Sequence, residues 1–127
     1  MVVVKHKDQI LLVQHKNSPQ FFTAIAGFVE YGETLYEAVK REVHEEVGLE
    51  VSNIRFFESQ SWPYPNQLMI AFFAEAKDKN ITVDQSELSD AQWYDLDKLP
   101  RVPLATSLSS KLINCLLYTS DAADDLL

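Results

Sequence analysis

The chain has 127 residues, a net charge of −8 and a pI near 4.7. That length fits one domain with its own core, and the acidic balance argues against a surface that grips duplex DNA through its phosphates. No apolar run approaches the ~20 residues of a membrane span, no signal peptide is recognisable at Met1-Val2-Val3-Val4-Lys5, and the single cysteine, Cys115, can build neither an internal disulfide nor a multi-cysteine zinc site, so a cytoplasmic location is expected.

Val2–Val4 and Ile10–Val13 are β-rich runs around a polar stretch and predict a hairpin. Thr23–Ala26 is a further short apolar run that ends at Gly27. The spacing predicts a helix over Thr34–Val47. Thr34 and Glu37 have the S/T-x-x-E spacing of a capping box. Leu35, Ala38, Val39, Val43 and Val47 recur at helical period, and Gly48 stands where a glycine stop belongs.

Val51–Glu58 and Leu68–Ala76 read as strands joined by a proline-bearing connection, Gln60–Gln67. Ile81–Val83 and Ala91–Tyr94 are shorter strand candidates, and Leu104–Leu117 reads as a closing helix. Residues 118–127 carry three aspartates and no amphipathic period. They resemble translated sequencing-adapter DNA, and the domain is expected to span residues 1–117.

Glu45 and Glu46 follow Glu42 by three and four residues, so all three carboxylates share one helix face. Like charges at this spacing repel, and negative charge near a helix C-terminus is disfavoured. Either water solvates the group or a cation neutralises it, and carboxylate oxygens suit Mg²⁺ or Mn²⁺. An acidic run alone is more often a solvated face.

The wider spacing decides between the two. Gly27, Glu33, Arg41, Glu42, Val43, Glu45, Glu46, Gly48 and Leu49 fill Gly-x5-Glu-x7-Arg-Glu-U-x-Glu-Glu-x-Gly-U without a departure, U being aliphatic. At ~7% usage per residue, the seven fixed identities coincide by chance roughly once in 10⁸ start points. The segment resembles the Nudix box. The resemblance implies an α+β fold, an α/β/α sandwich around a mixed sheet, and metal-dependent cleavage of a pyrophosphate bond. It also implies that Glu42, Glu45 and Glu46 bind the metal with the Ala26 carbonyl, and that Arg41 pairs with Glu33 to brace the loop on the helix.

Downstream, Ser59-Gln60-Ser61-Trp62-Pro63-Tyr64-Pro65-Asn66-Gln67-Leu68-Met69 is similar to the S-Q-P-W-P-F-P-x-S-L-M signature of the NADH pyrophosphatase branch. Ser61 and Gln67 depart from it, and Tyr64 replaces phenylalanine. Prolines that stiffen a loop of aromatic and amide groups could present a surface to a nicotinamide or adenine ring. The branch resemblance makes Gln60, Ser61, Trp62, Pro63, Tyr64, Pro65, Asn66, Gln67, Phe28 and Ser109 candidate substrate contacts. Glu87-Leu88-Ser89-Asp90-Ala91-Gln92-Trp93-Tyr94 is similar to the branch's E-L-x-x-A-x-W-F/Y segment, which makes Glu87 a further metal ligand.

The expected substrate is NADH, NAD⁺ or a related dinucleotide, with NAD-capped RNA a further candidate, and the family implies a homodimer. The branch's four-cysteine zinc ribbon has no counterpart in this chain. The alternatives are another nucleoside diphosphate derivative, such as ADP-ribose or a damaged nucleotide, and a non-catalytic NAD-binding module. His6, His15 and His44 read as ordinary polar residues.

Overall fold

A computed structural model describes residues 1–17, 21–62, 66–99, 111, 113 and 115. Its centre is a five-stranded mixed sheet in the order β3-β4-β1-β2-β5. The expected hairpin is β1 (Val2–His6) and β2 (Gln9–His15), paired antiparallel with Val4 opposite Leu11. Its turn places Lys7 at a φ of 53°.

β3 (Val51–Trp62) pairs antiparallel with β4 (Gln67–Ala76), and β4 runs parallel to β1 with Val4 opposite Ala74. β5 (Leu88–Asp95) closes the other edge against β2. Thr23 and Ile25 form isolated antiparallel bridges to Val13 and Val2 respectively, each through a reciprocal pair of backbone hydrogen bonds.

Alternation along the strands explains why both faces are covered. Val2, Val4, Leu11, Val13, Phe72 and Ala74 point to one side, where they meet Val39, Val43 and Val47 of helix α1 (Leu35–Val47). Val3, Ile10, Leu12 and Ala71 point to the other, where Ile113 packs on them. Lys111, Ile113 and Cys115 are helical, and the rest of the expected closing helix, like residues 118–127, lies outside the described residues. No helix among the described residues is long and apolar enough to cross a membrane.

Both ends of α1 follow the sequence. Thr34 caps it, its hydroxyl accepting from the Glu37 N–H at 3.2 Å while the Glu37 carboxylate accepts from the Thr34 N–H at 3.0 Å. Gly48 ends it in the left-handed conformation, φ 70°.

Three expectations change. Ile81–Val83 forms no strand. Its backbone turns to the helix instead, with the Thr82 N–H donating to the Val47 carbonyl at 2.8 Å and the Asp84 N–H to the Glu46 carbonyl at 2.9 Å. The β-branched run serves the unpaired carbonyls at a helix end, which satisfies the backbone as a sheet ladder would. Secondly, β3 runs four residues past the expected end at Glu58, because Gln60, Ser61 and Trp62 pair with Met69, Leu68 and Gln67. Thirdly, Leu35, which shares the apolar period with Val39 and Val43, does not join them in the core: at the first helical turn it remains 37% exposed and faces a cleft.

Candidate active site

The cleft, about 440 Å³, lies between the first turns of α1, the segment Ala26–Val29 and the start of β4. Its walls are mostly apolar: Val2, Ile25, Leu35, Val39, Met69 and Phe72 line it, and Glu42 supplies the carboxylate. That size and composition suit one small ligand with an apolar body and a charged end.

Helical spacing brings Glu42, Glu45 and Glu46 to one flank, yet the structure gives each a different setting. Glu46 is buried, 2% exposed, and its Oε2 has no hydrogen-bond partner. Burial, then the Glu42 charge, a hydrogen bond shared with Glu87, and the charges of Glu87 and Asp84 push its carboxyl up to about 8. Glu42 is largely buried and lies against Gly27, where a Cβ would overlap its carboxyl group. Glu45 is more than half exposed and turns back to Arg41, 3.1 Å away. Glu87 is exposed, on the turn that leads into β5. Among the described residues no three acidic, histidine or cysteine side chains close around a single point.

Arg41 organises this flank. Its Nε and Nη2 donate to the two oxygens of Glu33 at 2.7 and 2.9 Å, the paired contact the sequence implies. The same guanidinium donates to Glu42 Oε1 at 2.9 Å and to the Phe28 carbonyl at 2.9 Å. Glu33 also accepts from the Glu30 N–H at 2.8 Å, and the Arg41 contact holds its carboxyl below the usual range. One side chain therefore fixes the loop after Gly27 to the helix that carries the glutamates.

The substrate candidates divide by position. Phe28, 75% exposed, and Gln67 line the cleft, and Ala26 lines it beside Glu42. Gln60 and Ser61 lie on β3, and Asn66 is exposed at the turn into β4. Pro63, Tyr64, Pro65 and Ser109, and the side chain of Trp62, lie outside the described residues. Leu68, Ile70 and Phe72 of the cleft wall were not singled out as site residues by the sequence. Their signal was the β4 alternation, which marks core and cleft alike.

The residues present have the donor chemistry of a divalent-cation site, without three of the described side chains converging on one point. A buried carboxylate oxygen without a partner, beside two further carboxylates, is stable only if it keeps a proton or meets positive charge. Hard oxygen donors of this kind match Mg²⁺ or Mn²⁺.

The chain resembles known proteins in both sequence and fold. A NUDIX domain signature matches residues 1–114. The chain is 46% identical over 114 residues to the NAD-capped RNA hydrolase NudC of Vibrio atlanticus, covering 89% of this chain and 42% of the relative. It is 43% identical over 122 residues to the NudC of Haemophilus influenzae, covering 92% and 46%. The chain thus spans less than half the length of these curated relatives. Among solved structures, a NUDIX hydrolase from Nitrosomonas europaea superposes with a TM-score of 0.79 at 22% identity, covering 95% of this chain and 72% of that one. A UDP-X diphosphatase superposes at 0.68 with 20% identity, covering 98% and 64%. At these identities the structural likenesses show the fold alone.

Proposed function

The chain belongs to the Nudix family of pyrophosphate-bond hydrolases, and from that premise we propose that it splits the central pyrophosphate of NADH or NAD⁺, free or as the cap of an RNA, into AMP or a 5′-monophosphorylated end and a nicotinamide mononucleotide. The observation that carries this reading is Glu46. A buried carboxylate with an unpartnered oxygen sits on the same helix as a second carboxylate that lines an apolar cleft.

Glu42, Glu46 and Glu87, with Glu45 and the Ala26 carbonyl, are the residues that would hold Mg²⁺ or Mn²⁺. When bound, such an ion supplies charge for the phosphate oxygens and lowers the pKa of water. The remaining work belongs to the chain. The apolar wall of Leu35, Val39, Met69 and Phe72 takes a base and keeps water from it. Phe28 offers a ring face at the mouth, held there through its own carbonyl by Arg41. Gln67 brings an amide to the same cleft. Water attacks one phosphorus, the bridging P–O bond breaks, and a carboxylate of the group accepts the water's proton.

The similarity to two NAD-capped RNA hydrolases, together with the Ser59–Met69 segment, favours a nicotinamide dinucleotide. Incubation of the purified chain with NADH and Mg²⁺ or Mn²⁺ should yield AMP and reduced nicotinamide mononucleotide on chromatography. Intact NADH, alongside cleavage of ADP-ribose, would reject the substrate.

A further inference from the structure

Glu46 and Glu87 belong to different elements, and one residue ties them together. We propose that Asp84 is a positioning residue that fixes Glu87 relative to Glu46, so that both carboxylates meet the same divalent cation. The proposal rests on the metal-dependent reading given above.

Asp84 bonds in both directions. Its N–H donates to the carbonyl of Glu46 itself at 2.9 Å, one of the carbonyls that the end of α1 leaves unpaired. Its own carbonyl accepts from the Glu87 N–H at 3.2 Å and from the Leu88 N–H at 3.0 Å. Its side chain folds back over the same turn, where Oδ1 accepts from the Ser86 N–H at 3.0 Å and from the Ser86 hydroxyl at 2.7 Å. The backbone of Glu46 and the turn that carries Glu87 therefore share a single residue.

The surroundings keep this turn from sliding. Thr82 docks on the Val47 carbonyl at 2.8 Å, and its Cβ lies 3.3 Å from the place a Gly48 side chain would occupy. Further back, the Trp93 indole N–H donates to the Lys79 carbonyl at 3.1 Å. On the other side of the turn the Lys16 N–H donates to the Glu87 carbonyl at 3.2 Å. The Asp84 carboxylate is engaged by Ser86 and its charge is the weakest of the influences on Glu46, so its main contribution is the shape of the turn. Groups that orient metal ligands in this way typically carry about 10–100-fold of metal affinity.

Removing the Asp84 side chain leaves its backbone bonds in place but frees the turn under Glu87. Mn²⁺ titration by calorimetry on the whole chain, with thermal unfolding as a check on folding, reads the effect without turnover. Asp84→Ala should weaken Mn²⁺ binding about 10–100-fold. Asp84→Asn, which keeps the Oδ1 acceptor, should bind much as the parent does. In a Glu87→Gln background, Asp84→Ala should add no further loss, because the two act as one unit. Should Asp84→Ala not fold, Ser86→Ala removes the 2.7 Å bond and should give a smaller loss that also vanishes in the Glu87→Gln background.

Unchanged affinity in Asp84→Ala, or a full additional loss in the Glu87→Gln background, overturns the positioning role. Asp84→Asn as impaired as Asp84→Ala also overturns it, since the charge rather than the turn would then matter. A parent chain that binds no Mn²⁺ sinks the metal-dependent reading and the proposal with it, whereas the other outcomes strike the proposal alone.

Discussion

The carboxyl group of Glu42 rests against the bare Cα of Gly27, in space that any side chain at residue 27 would fill. Gly27 is not among the residues with positive φ, so its glycine character serves close approach rather than an unusual backbone. The first residue of the box and its second glutamate are thus two halves of one contact at the cleft.

This contact separates activity from stability. A Cβ at residue 27 meets the far end of a flexible side chain, which can swing away at small cost. Gly27→Ala should therefore lower stability by less than about 1 kcal/mol, as substitutions that force no backbone strain do. Turnover should fall ~100-fold, because the Glu42 carboxylate is displaced from its place. A variant that loses its fold, or one that keeps parental turnover, contradicts this.

Arg41 reaches Glu33, Glu42 and the Phe28 carbonyl with one planar fork. A lysine keeps the charge but cannot span these partners. Arg41→Lys should reduce kcat/KM about as strongly as Arg41→Ala, by ~100-fold for a misplaced loop. Steady-state kinetics on both variants checks it, and rescue by lysine would show that charge alone suffices.

Phe28 is three-quarters exposed at the cleft mouth, so its ring contributes little to the core. Phe28→Ala should leave the melting temperature unchanged and raise KM for NADH by about two- to tenfold, the scale of one lost aromatic contact of ~0.5–1.5 kcal/mol. A kcat loss at constant KM would move Phe28 from substrate binding to the chemical step.

Glu46 makes the metal-free protein sensitive to pH. Its folded pKa of about 8 lies above the ordinary 4.5, so the folded state holds its proton more tightly than the unfolded chain does. Below pH ~4.5 both states are protonated and this group adds no pH dependence. As pH rises from there towards about 8, stability is lost, and the loss levels off once Glu46 ionises in the fold as well. Melting curves in EDTA should show this decline between pH 5 and 8. Glu46→Gln should flatten it, and Mg²⁺ at pH 8 should reverse it, because a cation binds the ionised group.

The parts of the fold set by local chemistry were legible in the chain. The Thr34–Glu37 capping box, the Gly48 stop and the alternation of the hairpin all form as their spacing predicts. The Arg41–Glu33 pair was legible too, through the box that both residues belong to. Ile81–Val83 was misread because β-branched residues favour extended backbone without fixing what it bonds to. Here the free carbonyls of α1 were the nearer partners. The Gly27–Glu42 contact and the bond from Asp84 to the Glu46 carbonyl could not be seen in the same way. Both depend on which distant backbone lies alongside, and no periodicity records that.

The proposed hydrolysis turns on Glu46 as the residue that would hold a divalent ion against a bound pyrophosphate. NADH hydrolysis with saturating Mn²⁺, measured in the parent chain and in Glu46→Gln alongside their circular dichroism, checks that role. Turnover that falls by about 10²–10⁴-fold in a variant with an unchanged spectrum is the predicted result, the scale of a group that positions or stabilises reacting charge. Hydrolysis at the parental rate in a folded Glu46→Gln chain would rule that role out.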